Sequence, residues 1–115
     1  MTEYLIYFNQ HWVGDHTEEW FRERAPLAMA VVEEMKTAGV YVFAGGLEEG
    51  ADVFSADATS GSLIVTDGPF AETKVVLGGL TIVDVVDEHA AKMWAGKLAE
   101  ACGWPQEVRR FGSMP

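Results

Sequence analysis

The chain has 115 residues, of which 49% are apolar, and eight Lys and Arg against eighteen Asp and Glu give a formal net charge of −10. This length suits one hydrophobic core, so residues 1–115 are predicted to form a single domain. The acidic charge disfavours binding to nucleic-acid phosphates, and no apolar run approaches the roughly 20 residues that span a membrane. Cys102 is the single cysteine and has no partner for an intrachain disulfide, which indicates a cytoplasmic protein.

The first part of the chain is predicted to form a strand and then a helix. Residues 4–8 are apolar at nearly every position, which is typical of a strand covered on both faces. The helix that follows has Asp15 or Thr17 as its N-cap, and Gly39 ends it. Pro26 is predicted to kink this helix or to begin it afresh. The core-facing stripe of the helix is predicted at Leu27, Val31 and Met35.

The rest of the chain adds further strands and one more helix. Asp87 is the predicted N-cap of the second helix, and Gly103 ends it. The apolar stripe of this helix includes Cys102, which is therefore predicted to be a structural thiol and not a nucleophile. The other stripe residues are Ala91, Trp94, Ala95, Leu98 and Ala101. The remaining predicted strands are residues 40–44, 52–55, 61–66, 80–86 and 107–111, the last of them at a sheet edge.

The order of these elements fits the split βαβ pattern, an antiparallel sheet with two helices on one face. Helices on one face leave the opposite face of the sheet open. The strands at 4–8, 40–44 and 63–65 are apolar on both faces, so that open face needs a cover. We therefore predict a homodimer that pairs through the sheet face.

The connection 67–79 holds the densest set of ionisable side chains beside the sheet. The flanking segments are predicted to be buried strands of one central pair. Asp67-Gly68 is typical of a turn, and Pro69 is expected to hold Gly68 in an extended conformation. The double glycine Gly78-Gly79 at its end is predicted to relieve crowding or to make a bulge, and not to cradle a ligand.

Acid–base catalysis is the enzymatic hypothesis for this connection. Glu72 and Lys74 lie two positions apart and share one side of an extended segment. Asp67 is predicted to be partly buried at the mouth of a pocket that also receives Glu72 or Lys74, and these three residues are the catalytic candidates. The alternative is a non-catalytic module that binds a small ligand or regulates a partner. The ligand-binding candidates are Gly68, Pro69, Phe70, Arg24 and His16.

Neither a metal site nor a cofactor is predicted. Zinc sites use Cys and His pairs at short spacing, which the chain lacks. His11, Asp15 and His16 are near neighbours, but exposed loop histidines are the commoner arrangement. A Gly-x-Ser-x-Gly nucleophile segment and a phosphate loop are also absent from the sequence.

The sequence around the 67–79 connection resembles that of a known family. Asp67-Gly68-Pro69-Phe70, then Ala71-Glu72-Thr73-Lys74 and then Gly78-Gly79, is similar to the signature of the DGPF-domain group within the YCII-related proteins. The likeness extends from Tyr4 to Phe111. It implies a dimeric α+β barrel, in which ferredoxin-like subunits pair through their sheets. Some DGPF-type domains are associated with extracytoplasmic-function sigma factors, so the resemblance also implies a regulatory alternative.

One feature associated with the wider family is missing. A His–Asp dyad is proposed there, with the His just after an Arg-Pro-Ala in the first helix. The similar place in this chain reads Arg24-Ala25-Pro26-Leu27, so Leu27 stands where the His is expected. No Asp-Pro-Tyr occurs near residues 101–104 to supply the other half. The dyad is therefore not transferred to this chain.

Overall fold

The computed structural model describes residues 1–49, 53–69 and 76–113. The main sheet has four antiparallel strands in the order β2-β5-β1-β6, with helices α1 and α2 packed on one face, which is an α+β ferredoxin-like fold. Strands β3 and β4 form a separate two-stranded sheet. The elements are β1 Thr2–Asn9, a 3-10 turn Gln10–Trp12, α1 Glu18–Thr37, β2 Tyr41–Gly46, β3 Phe54–Asp57, β4 Ile64–Asp67, β5 Leu77–Val85, α2 Glu88–Cys102 and β6 Glu107–Arg110.

Local hydrogen bonds explain where both helices begin and end. The Thr17 hydroxyl accepts from the Trp20 N–H at 3.1 Å, so Thr17 and not Asp15 is the N-cap of α1. The Asp87 carboxylate accepts from the Ala90 N–H at 2.9 Å and caps α2 as predicted. Both helices end before a glycine with positive φ, as predicted. Within the described ranges, no helix has the length and apolar character needed to cross a membrane.

The α1 helix excludes one of the two alternatives predicted for Pro26 and corrects the prediction for Leu27. It runs as one helix through Pro26, so the chain does not start a new helix there. Val31 and Met35 are buried as predicted, but Leu27 is 50% exposed. The reason is geometric. Arg24 donates to the Glu100 carbonyl at 3.1 Å, so Arg24 lies on the face of α1 that meets α2. Half-buried Ala28 lies on the same face, whereas Leu27 is one position away from it.

The core lies between the helices and one face of the main sheet. Tyr4 and Ile6 of β1 point toward the helices, and their partners across the strand pair include Val83 of β5. Ile6, Met35 and Val83 have 0% exposed surface. The other core residues are Val31, Val85, Ala91, Trp94, Ala95, Leu98 and Ala101, which confirms most of the predicted stripe of α2.

The opposite face of the main sheet is apolar at its centre. Leu5 is paired with Ile82 and Tyr7 with Leu80, so these side chains alternate with the core residues. Phe43 of β2 is paired with Ile82 and is 53% exposed. Both helices occupy the other face, so in the described ranges no helix covers these residues. We call this surface the open sheet face.

The prediction for residues 61–66 was wrong about burial and pairing. β4 pairs with β3, not with β5, and Leu63, Ile64 and Val65 are 70%, 54% and 61% exposed. An apolar run indicates that a strand needs a cover, but it does not specify which surface supplies it. Residues 53–69 form an arm that projects from the main sheet. The radius of gyration is accordingly 16.4 Å, against about 13 Å for a compact chain of this length.

Candidate functional site

The structure places Asp67 at the end of β4, in the arm. Its side chain is exposed and has no hydrogen-bond or ion-pair partner among the described residues, so the predicted partial burial is not found within one chain. Gly68 donates to the Val53 carbonyl at 2.6 Å and accepts from the Ser55 hydroxyl at 2.7 Å. Its φ of +100° shows that it is not in the extended conformation expected before Pro69. Gly68 instead continues the pairing with Val53 while the chain turns.

Three of the predicted site residues lie outside the described residues. They are Phe70, Glu72 and Lys74. The proposed grouping of Asp67 with Glu72 or Lys74 therefore stays a prediction.

His16 and Arg24 meet on Trp20. The His16 ring stacks on the Trp20 ring at 3.6 Å with an interplanar angle of 9°. The Arg24 guanidinium carbon lies 5.1 Å from the same ring centre. His16 Nε2 is also 2.8 Å from the carbonyl of Val13. The structure thus brings these two predicted ligand-binding residues together, but no hydrogen bond or ion pair joins either of them to Asp67.

Phe8 extends this aromatic cluster into the sheet. Its ring centre lies 5.0 Å from that of Trp104, which in turn is 6.1 Å from Trp20. A Cβ atom added to Gly78 would overlap the Phe8 ring, and one added to Gly79 would approach it to 2.9 Å. The double glycine therefore makes room for Phe8, and the strand register also shifts here, so both relief of crowding and a bulge are found. No sequence motif marked Phe8, Trp20 and Trp104, because these residues come from distant parts of the chain.

A cleft of about 330 Å³ lies between α1 and the sheet, close to Phe8. α1 contributes Ala28, Met29 and Val32 to its wall, and the lining is mostly apolar. The sheet contributes Tyr41, Ala44 and buried Thr81, and α2 contributes Leu98 and Cys102. The sequence analysis missed this cleft, since its residues come from α1, α2 and separate strands and no local pattern joins them.

Charged residues lie on one side of the cleft. Lys36 Nζ is 3.3 Å from the Glu33 carboxylate and 5.0 Å from the centre of the Tyr41 ring. The ion pair is largely exposed, so it adds little stability but keeps a cation beside the cleft. Within the described ranges, no group of three His, Cys, Asp or Glu side chains could hold a metal ion.

The described residues 76–78, at the start of β5, lie beside this cleft. The Gln10 N–H donates to the Val76 carbonyl at 2.7 Å, and the Leu47 N–H donates to the Gly78 carbonyl at 2.9 Å. Gly46, which precedes Leu47, lines the cleft. Residues 76–78 are therefore held by backbone hydrogen bonds next to the residues that line the cleft.

Cys102 is a free thiol on the α2 side of the cleft. Burial raises its pKa, and the nearby positive charge of Arg24 opposes this effect only in part. A raised pKa keeps the thiol protonated near neutral pH. This supports the prediction of a structural thiol, because the thiolate is the nucleophilic form.

We expect alkylation of Cys102 by iodoacetamide to be slow near neutral pH. Its rate should rise with pH through a midpoint above the ordinary pKa of a cysteine, because burial disfavours the thiolate. The same chain in concentrated urea is the control and should show the ordinary midpoint. A folded-state midpoint below that of the unfolded chain would contradict the burial argument.

The fold and its comparison with known proteins define the class of this protein. The β2-β5-β1-β6 sheet under two helices is an α+β ferredoxin-like domain. The model of the YCII-related domain family matches residues 5–102, and the chain belongs to this family. No curated protein matches the chain. Family membership confirms the resemblance noted in the sequence, but a fold by itself does not assign an activity.

Proposed function

We propose that this domain binds a small molecule in the cleft between α1 and the sheet. The observation that carries the proposal is the cleft itself, with a volume of about 330 Å³ and walls from both helices and the sheet. This volume lies in the lower part of the range of small-molecule sites, roughly 300–1,000 Å³. A mostly apolar wall with a few polar groups is also the composition of such sites.

The lining defines the chemical class of the ligand. Met29, Val32 and Leu98 favour an apolar body, such as a small aromatic ring or a branched aliphatic chain. Buried Thr81 offers a hydroxyl, and Lys36 offers a cation that Glu33 already neutralises in part. The ligand we propose is therefore small and mainly apolar, with one hydrogen-bonding group.

Binding has more support than acid–base catalysis. A catalytic carboxylate is usually desolvated or placed beside a charged partner, which tunes its proton affinity. Asp67 is exposed and has no side-chain partner among the described residues. Cys102 in the cleft has a raised pKa, which disfavours covalent catalysis by its thiol. Catalysis by Asp67, Glu72 and Lys74 remains the alternative hypothesis.

We further propose that the binding module is a homodimer that pairs through the open sheet face, in the cytoplasm. The apolar centre of this face supports pairing with another copy. Asp84 lies on the same face, and its Oδ1 atom is buried without a partner among the described residues. Arg109 lies on this face too, paired with Leu5. Across a two-fold axis, the charges of Asp84 and Arg109 can complement each other.

The Ala28→Phe variant tests the cleft. A phenyl ring at this position fills the space between α1 and the sheet, so we expect binding of cleft ligands to weaken by about tenfold or more. The experiment uses ligand-observed NMR with a panel of small aromatic and branched aliphatic alcohols, amides and carboxylates. Compounds that bind should also slow the alkylation of Cys102, which lines the same cleft.

Ala25→Phe is the matched control, because Ala25 is an exposed residue of the same helix. It should bind the same compounds as the unmodified chain. Compounds that bind Ala28→Phe equally well would show that the cleft is not the site. If no compound of the panel protects Cys102, the proposal fails. Turnover of a bound compound that is lost in Asp67→Asn would instead favour the acid–base alternative.

A further inference from the structure

The arm is a two-stranded ribbon with two different faces. In its register, Phe54 is opposite Asp67 and Ala56 is opposite Val65. Since side chains alternate along a strand, these residues share one face with Leu63, which directly precedes β4. The other face carries Ser55, Asp57, Ile64 and Thr66. We call the first set the apolar arm face, because Asp67 is its one charged residue.

The apolar arm face is turned toward solvent. Phe54 is 72% exposed, Leu63 70% and Val65 61%. On the other face Ile64 is 54% exposed and Thr66 is exposed, while Ser55 and Asp57 are half-buried. The ribbon therefore exposes apolar side chains on both faces, and most of them lie on the apolar arm face. An isolated two-stranded hairpin is marginally stable at best, so an arm of this kind needs another surface.

The turn at the tip shows that the arm itself is well formed. Asp57 accepts a hydrogen bond from the Thr59 N–H at 2.9 Å, and this bond lowers its pKa. The Ala58 carbonyl accepts from the Gly61 N–H at 3.1 Å, and Gly61 has a φ of +96°. Side-chain capping and a glycine at positive φ are the usual chemistry of a tight hairpin turn. The exposed apolar face therefore belongs to a hairpin with a hydrogen-bonded turn.

We propose that the apolar arm face docks on a second copy of this chain, and that two copies exchange their arms reciprocally. The inference rests on the homodimer of the proposed function and adds a second contact to it. The arm is the next strand pair after β2 in the chain, and Phe43 of β2 belongs to the open sheet face. Only residues 44–53 separate Phe43 from Phe54 along the chain. A dimer with a single two-fold axis can bury both the apolar arm face and the open sheet face.

The area agrees with a stable dimer. The exposed parts of Phe54, Leu63 and Val65 amount to roughly 350 Å² per arm, taking about 150–200 Å² for each whole side chain. In a reciprocal exchange, each copy buries its own apolar arm face and a similar area where the arm of the other copy docks. The buried surface is then roughly 700 Å² per copy, close to the ~800 Å² of a standard interface. The net charge of −10 per copy lies mostly off this face, so repulsion between copies acts at a distance and is screened by salt.

Docking changes the environment of Asp67. This residue lies on the apolar arm face directly opposite Phe54. When Phe54 is covered by the second copy, the neighbouring carboxylate loses part of its water as well. The partial burial of Asp67 predicted from the sequence then arises between two copies and not within one.

Sedimentation velocity of four forms of the full chain tests this inference. Val65→Asp places a charge on the apolar arm face, and Thr66→Asp places the same charge on the other face of the same strand. Phe43→Asp changes the open sheet face. We expect the unmodified chain and Thr66→Asp to be dimers at micromolar concentration, with Val65→Asp weakening the dimer at least about 30-fold. Amide hydrogen exchange of residues 53–69 should show protection in the dimer that is lost on dilution to monomer.

The other possible results would refute the arm exchange, the homodimer or the choice of docking face. A monomeric unmodified chain refutes both the arm exchange and the proposed homodimer. A dimer that Phe43→Asp weakens and Val65→Asp leaves unchanged refutes the arm exchange alone. Equal weakening by Val65→Asp and Thr66→Asp refutes the assignment of the docking face. If Val65→Asp perturbs the arm itself, unprotected arm amides in the unmodified dimer still refute the inference.

Discussion

Met35→Ala is expected to lower the free energy of unfolding by about 2–5 kcal/mol. Met35 has no exposed surface and lies in the core between α1 and the main sheet. Removing most of its side chain costs the transfer free energy of the lost atoms and leaves a cavity that the surrounding residues fill only in part. Urea unfolding followed by circular dichroism measures the effect as a lower midpoint at an unchanged m-value.

Met29→Ala is the matched control, because it makes the same chemical change in the same helix. Met29 is 68% exposed, so its loss should change the stability by about 0.5 kcal/mol or less. Met29 also lines the cleft, and the variant should weaken ligand binding while leaving folding almost intact. Equal destabilisation by the two variants would show that α1 does not face the sheet through Met35.

Gly78→Ala is expected to destabilise the fold by about 1–3 kcal/mol or more. The added Cβ atom overlaps the ring of Phe8, and Phe8 cannot swing away freely because it packs against Trp104 at 5.0 Å between ring centres. Moving the Phe8 ring also disturbs the cleft, which Phe8 lines. The variant should therefore lose both thermal stability and ligand binding.

Gly96→Ala makes the same substitution where the structure has room. Gly96 lies in α2, is exposed, and an added Cβ atom would meet nothing within 4 Å. Alanine favours the helix, so this variant should gain about 0.5–1 kcal/mol. The two glycine variants are thus expected to shift the melting temperature in opposite directions. A Gly78→Ala variant as stable as the unmodified chain would show that Phe8 does not lie against β5 as described.

The helices could be predicted well from the sequence because their signals are local. Asp87 caps α2 by a bond to a residue three positions away, and Gly39 and Gly103 stop their helices by adopting positive φ. The error at Leu27 concerns the packing of one helix against the other, which local signals do not report. The stripe was correct for Val31 and Met35, but the exact face near Pro26 depends on α2, which packs against Arg24.

The candidate site could not be predicted in the same way. His16 and Arg24 were singled out from the sequence, but the ring on which they meet belongs to Trp20, which carried no signal of its own. The cleft joins side chains from both helices and from separate strands. Such an assembly depends on how distant elements pack, and a single sequence contains no local pattern that reports it.

The apolar run at residues 63–65 shows most clearly what the sequence determines and what only the tertiary structure determines. The sequence alone determined that this segment is an apolar strand, because its residues are apolar on both faces and rich in β-branched side chains. Only the tertiary structure decided that it pairs with β3 in an arm and leaves Val65 and Leu63 in solvent. The physical reason is that alternation along a strand reports which side chains share a face. The surface that meets this face is set by the pairing of strands that lie far apart along the chain.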